Sequence, residues 1–147
     1  MSFVVTGLSA GFLGTAVMTL FLWSVDRFTP ITADMVRALG SGVTRRMERS
    51  FLPGLLLHIA GGLVFAFLYI FGLQAFRIGS LHQAVATGLL FGVVHGFAFA
   101  FVMLILAEYH PVETYKRAGF AVAVVHLMAH AIFGLVVGLV VGLSGRL

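Results

Sequence analysis

The sequence predicts an all-α integral membrane protein: a four-transmembrane-helix bundle built from two similar helical hairpins, with an interfacial amphipathic helix in the first cytoplasmic loop. Three observations carry that expectation. Of the 147 residues, 61% are hydrophobic and 10% are charged, where an ordinary soluble domain has about a quarter charged. The apolar residues gather into four blocks, each longer than the ~20 residues a helix needs to cross ~30 Å of hydrocarbon. Glycines recur at four-residue spacing inside them, a pattern that lets membrane helices approach closely. Barrel strands would alternate over ~10 residues, and none of the blocks does so. Residues 1–147 therefore read as a single membrane domain.

The first block, Phe3–Val25, has no basic residue ahead of it and no small-residue cleavage pattern behind it, so it reads as a mature helix rather than a signal peptide. Gly7, Gly11, Gly14 and Met18 form one stripe along it. The following connection is the only long one. Thr32 can cap a helix beginning at Asp34, whose acid suits a helix N-terminus. Met35, Leu39, Val43 and Met47 then repeat every four residues opposite Arg37, Arg45 and Arg46, as in a helix lying in the membrane interface. Gly40-Ser41-Gly42 is expected to break or kink it.

The second block, Phe51–Phe76, places His58 on a face with Gly54, Gly61 and Gly62. Arg77–His82 forms a tight turn into the third block, Ala84–Ala107, where His95 lies three residues from Gly92 in the stripe Gly88, Gly92, Gly96. A short polar loop, Glu108–Arg117, leads to the fourth block, Gly119–Leu143. Its stripe Gly134, Gly138, Gly142 is continued backwards by His130 and His126. The two halves echo each other. Thr6-Gly7-Leu8-x-x-Gly11 recurs as Thr87-Gly88-Leu89-x-x-Gly92, and His58-x-x-x-Gly62-x-x-x-Ala66 as His130-x-x-x-Gly134-x-x-x-Gly138. Tandem hairpins of this kind imply a pseudo-two-fold along the membrane normal.

Charge sets the orientation. Arg27, Arg37, Arg45, Arg46, Arg49, Lys116 and Arg117 fall in the first and third connections, and only Arg77 and Arg146 fall on the other side. Basic loops stay inside, so these connections are expected in the cytoplasm and both termini outside, in a prokaryotic inner membrane. The net charge of +4 is then explained by topology and anionic lipid headgroups, not by a nucleic-acid partner. Trp23, Tyr109 and Tyr115 are placed at the cytoplasmic boundary and Tyr69 near the outer one. The chain has no cysteine, which excludes disulfides, thiolate metal sites, iron–sulfur clusters and covalently attached haem.

Ionisable side chains within a membrane are costly and mark function. His58, His95, His126 and His130 are such a set. Counted from the cytoplasmic ends at ~1.5 Å per residue, His58 lies ~9 Å deep, His126 ~13 Å, and His95 and His130 ~19 Å. The pairings expected across helices are His58 with His126 and His95 with His130. Facing imidazoles hold b-type haem or metal in bundle cores. His95 with His130, flanked by glycines, suits haem. His126 and His130, one turn apart, suit a metal ion completed by His58 or His95, with copper, iron or zinc as candidates. Met18, Met103 and Met128 could add thioethers for copper. Glu108, His110 and Glu113 are expected to form an antechamber at the cytoplasmic mouth. The plainer alternative is a hydrogen bond from each histidine to a backbone carbonyl or to Thr15, Thr19 or Thr87. Asp26 is expected to pair with Arg27, Arg117 or lipid headgroups.

The order of elements resembles small uncharacterised bacterial four-helix membrane proteins. Asp34…Leu39-Gly40-Ser41 and His58-x-x-x-Gly62-x-x-x-Ala66 in the first hairpin carry the resemblance. It implies the same topology and no particular chemistry.

The expected function is a cofactor-binding membrane subunit, with haem b or a transition metal on these histidines, serving electron transfer in a larger redox assembly. Its partners would be lipids and other membrane subunits or further copies of the chain. One alternative is a cofactor-free accessory subunit. Another is a small transporter or proton relay, although the outer ends of helices two to four offer only Gln74, Gln83 and Ser144 as a polar path. Without a nucleophile motif, a stand-alone enzyme is the least favoured reading.

Overall fold

The computed structural model describes residues 2–145. It contains six helices and, among the described residues, no strand: α1 Phe3–Phe28, α2 Met35–Thr44, α3 Phe51–Ala75, α4 Leu81–Glu108, α5 Glu113–Lys116 and α6 Phe120–Leu143. Four of them, α1, α3, α4 and α6, are long and apolar enough to cross a membrane. Rows of exposed apolar side chains, among them Leu90, Val94, Phe97 and Phe101 on α4, face outward as they would toward lipid. The chain is a multi-pass membrane protein folded as a four-helix bundle. The four spans match the four apolar blocks to within three residues at each end, because block length and helix length answer to the same bilayer thickness.

In space the spans follow the order α4, α6, α1, α3, with α2 against α3. The innermost span is α6, half of whose most apolar window is buried, against 17% for α4. The tightest seam joins α4 and α6. A β-carbon added at Gly88 would fall on the carbonyl oxygen of Gly134, and one at Gly92 on that of His130. At Gly134 and Gly138 it would fall on the Gly88 and Ala84 carbonyls. Backbones this close gain dispersion contacts, which drive helix association where lipid supplies no hydrophobic force. On the other side of α6, Gly14 of α1 faces the Phe133 ring, which a β-carbon added there would meet at 2.8 Å. Leu22, Ile70, Leu73, Val137 and Val141 fill the interior nearby.

The halves are not equivalent. A two-fold relation would match the α1–α6 contact with one between α4 and α3, yet α3 and α4 touch sparingly. They meet through rings rather than backbone: Phe91 fills the space that a β-carbon on Gly72 would need and lies edge-on to Tyr69, and Phe65 stacks on His95. The bundle is correspondingly loose along this side.

The first connection does not rest on the outside of the bundle. Helix α2 packs into it, with Met35, Val36, Gly40 and Ser41 buried, while Val43 is exposed. The expected break at Gly40-Ser41-Gly42 does not occur. A β-carbon at Gly40 would meet the Ser50 carbonyl, and one at Gly54 the Val36 carbonyl. Gly40 serves close approach to α3, not a bend. Asp34 caps α2, its Oδ1 accepting from the Arg37 N–H at 2.9 Å. Asp26 holds the approach to α2, its Oδ1 accepting from the N–H groups of Ala33 at 2.8 Å and Asp34 at 3.2 Å. These backbone bonds occupy the Asp26 oxygen that was expected to pair with arginine or headgroups.

Candidate functional site: an imidazole-lined cavity

Helix periodicity and the glycine seams turn the four intramembrane histidines inward. His126 is 1% exposed, His130 5% and His58 9%; His95 is partly buried. His95 and His130 stand level on α4 and α6, their rings edge to face with centroids 4.5 Å apart. Gly96 allows this approach, since a β-carbon there would lie 2.9 Å from that of His130. The expected pairing of these two is thus present. His58, His95 and His130 share the lining of a cavity of about 270 Å³ between α1, α3, α4 and α6. His126 lines a neighbouring vestibule of about 300 Å³ at the end that carries α2 and α5. Met35, Leu39 and Leu57 form part of both walls, so the two spaces adjoin.

Hydrogen bonding fixes which ring nitrogen is free. His126 Nδ1–H donates to the Val122 carbonyl at 2.8 Å, and His130 Nδ1–H donates to the His126 carbonyl at 2.7 Å. A carbonyl can only accept, so Nδ1 carries the proton and Nε2 of each neutral ring presents a lone pair. The plainer alternative is therefore half right: these rings do bond to the backbone, through one nitrogen only. Nε2 of His58, His95 and His126 is buried with no hydrogen-bond partner among the described residues. Such orphaned atoms are rare in native interiors and call for an explanation. Thr15 and Thr19, named as alternative partners, do not serve. Thr19 bonds to the Thr15 carbonyl at 2.6 Å, and the Thr15 hydroxyl is itself unpartnered.

Two aromatic residues complete the surroundings of His95. Phe65 stacks on its ring with centroids 3.8 Å apart, and the Tyr69 hydroxyl lies 3.2 Å from Nδ1. Tyr69, expected near the outer membrane boundary, is buried within the bundle. Its membership of the site is readable in spacing, because residues 58, 62, 65 and 69 step by four, three and four along one face of α3. Met35, from α2, was likewise assigned to the interface and instead lines the cavity. Met18 lines it too, Met103 lines the vestibule, and Met128 is half exposed on the outside of α6.

The antechamber forms only in part. His110 lines the vestibule, but Glu108 and Glu113 are exposed, and Glu113 pairs with Lys116 at 3.2 Å. His110 uses both ring nitrogens: Nε2–H donates to the Ala38 carbonyl at 3.0 Å, and Nδ1 accepts from the Val112 N–H at 3.1 Å. It ties the α4–α5 loop to α2 and has no lone pair left for a metal. Tyr115, expected at the interface, is buried beside it. Burial, followed by the negative charges of Asp34 and Asp26, pushes its hydroxyl pKa well above the ordinary tyrosine value. Among the described residues, no three side chains drawn from His, Asp and Glu stand close enough together to hold a metal ion.

No curated protein and no solved structure matches the chain. Residues 1–146 match the family of unknown function DUF6789, and the chain belongs to that family.

Proposed function

We propose that the protein is an integral membrane metal-binding subunit in which intramembrane imidazoles hold a transition-metal ion for electron transfer within a larger membrane assembly. One observation carries this reading: Nε2 of His58, His95 and His126 is buried without a partner, and at His126 the opposite nitrogen, Nδ1–H, is anchored to the Val122 carbonyl. Metal-binding histidines are held in this way, the second nitrogen fixing tautomer and orientation. His58, His95 and His130 line the binding cavity, and His126 stands at its vestibule. Haem between His95 and His130 is the weaker form of the proposal. Metal–nitrogen bonds of ~2.0–2.1 Å on opposite faces of an iron would hold the two ring centroids roughly 6 Å apart, and the rings here are in contact at 4.5 Å.

In this reading the membrane is a prokaryotic inner membrane, and the excess of Lys and Arg in the first and third connections supports a cytoplasmic α2 and α5 end with both termini outside. A metal reaching the site from that side passes His126.

Metal analysis with oxidised and reduced absorption spectra of the detergent-purified protein tests the proposal. A bound ion lost in a His130→Gln variant that remains folded supports it. A Soret band would replace the metal ion by haem. A protein that takes up neither metal nor haem would overturn the reading in favour of an accessory subunit.

A further inference from the structure

The donors around the cavity narrow the choice of ion. None of its lining residues is charged, so nothing in the wall offsets the charge of an ion. The cost of moving an ion from water into low-dielectric surroundings rises with the square of its charge, which favours a monovalent ion over a divalent one. Beside the imidazoles stand two buried thioethers, Met18 and Met35. Thioether sulfur selects cuprous copper, and imidazole is compatible with it. Zinc sites ordinarily gather three or four nitrogen, oxygen or thiolate ligands, a set absent among the described residues.

Helix register identifies the nearest donors. On α1, Gly14 faces Phe133 of α6 and Thr15 faces Gly62 of α3. Both neighbours run antiparallel to α1. One turn onward, Met18 comes level with His130 on α6 and His58 on α3. His58 is nine-tenths buried with Nε2 unpartnered. We infer that the cavity binds one cuprous ion through Nε2 of His58, Nε2 of His130 and the sulfur of Met18, with Met35 closing the site from α2. This deepens the metal-binding reading above and rests on it.

The test is an anaerobic titration of the full-length protein in detergent with Cu(I), in competition with a chromophoric Cu(I) chelator. Zn(II) and Co(II) are titrated in parallel. The wild type is expected to bind one Cu(I) per chain and to bind Zn(II) and Co(II) weakly. Met18→Leu keeps the volume and removes the sulfur ligand, and should weaken Cu(I) binding by at least about tenfold, the loss that follows even when a group supporting a metal ligand is removed. Met128→Leu, on the outside of α6, should leave it unchanged. His58→Gln should abolish it, with thermal unfolding confirming that each variant is folded. Tight Zn(II) or Co(II) binding, or Cu(I) binding indifferent to Met18→Leu, would overturn the cuprous assignment while leaving a metal site standing. Failure to bind any of the three ions would overturn both.

Discussion

His95 receives Phe65 on one face and the edge of His130 beside it, while the Tyr69 hydroxyl sits 3.2 Å from its Nδ1. The ring is thereby placed by contacts from two other helices. Tyr69→Phe deletes the hydroxyl alone. Hydrogen bonds between membrane helices average about 0.6 kcal/mol, and a loss of that size is expected in thermal or denaturant unfolding in detergent. Nitrogen NMR of labelled histidine should show the His95 tautomer respond and those of His126 and His130 hold.

The seam between α4 and α6 gives a sharper contrast. In Gly92→Ala the new methyl meets the His130 carbonyl and lies 2.9 Å from the Ala131 Cα. Overpacking of this kind costs about 1–3 kcal/mol, and it should displace His130 from His95. Gly61→Ala adds the same methyl where nothing lies within 4 Å, and should leave the melting temperature unchanged or slightly higher. Equal losses in both variants would remove the close-approach account of the glycines.

Much of this was readable in the sequence. Span length and the four-residue glycine stripes are local patterns, and both survive in the fold. The inward aim of His58, His126 and His130 followed from the same periodicity. What escaped depends on residues far apart in the chain. The stripe Met35, Leu39, Val43, Met47 announces an apolar face but not what it meets: Met35 and Leu39 line the two cavities, Val43 is exposed, and it is Val36 and Gly40 that meet α3. His110 was expected in an antechamber with Glu108 and Glu113, and its tie to α2 escaped because its partner, the Ala38 carbonyl, lies 72 residues away. The weak α3–α4 contact runs against the internal repeat, because these two helices meet through the rings of Phe65, Tyr69 and Phe91 and not through close backbones.

Because His110 fastens the α4–α5 loop to α2, His110→Ala should loosen both. Two hydrogen bonds at about 1 kcal/mol each predict faster hydrogen exchange across residues 35–44, with the four spans unaffected. Exchange in α2 as slow as in the wild type would show that the α3 contact alone holds it.

Tyr115 gives the fold an alkaline limit. Its pKa is raised in the folded state, so the folded protein holds this proton more tightly than the unfolded chain. The resulting stability is fully present below pH 10, the ordinary tyrosine pKa, and declines as pH climbs through the folded value. Tyr115→Phe cannot ionise and should lose less stability on the alkaline side, measured by unfolding at neutral and at high pH.

Orientation can be read with single introduced thiols, since the sequence has no cysteine of its own. Gly79→Cys, in the turn between α3 and α4, should react with an impermeant maleimide added to intact cells. Glu48→Cys, between α2 and α3, should react only after the membrane is opened. The reverse pattern would invert the assigned topology.

The glycine seam also bears on how the chain is made. During synthesis α4 emerges directly after α3, yet its glycine face fits neither α3 nor α1; it fits α6, which is still unmade. Until the last span enters the bilayer, that face is left to lipid or to an insertion factor. A ribosome stalled before residue 120 would therefore leave α4 inserted but undocked, with His130 and Phe133 still missing from the wall of the imidazole cavity.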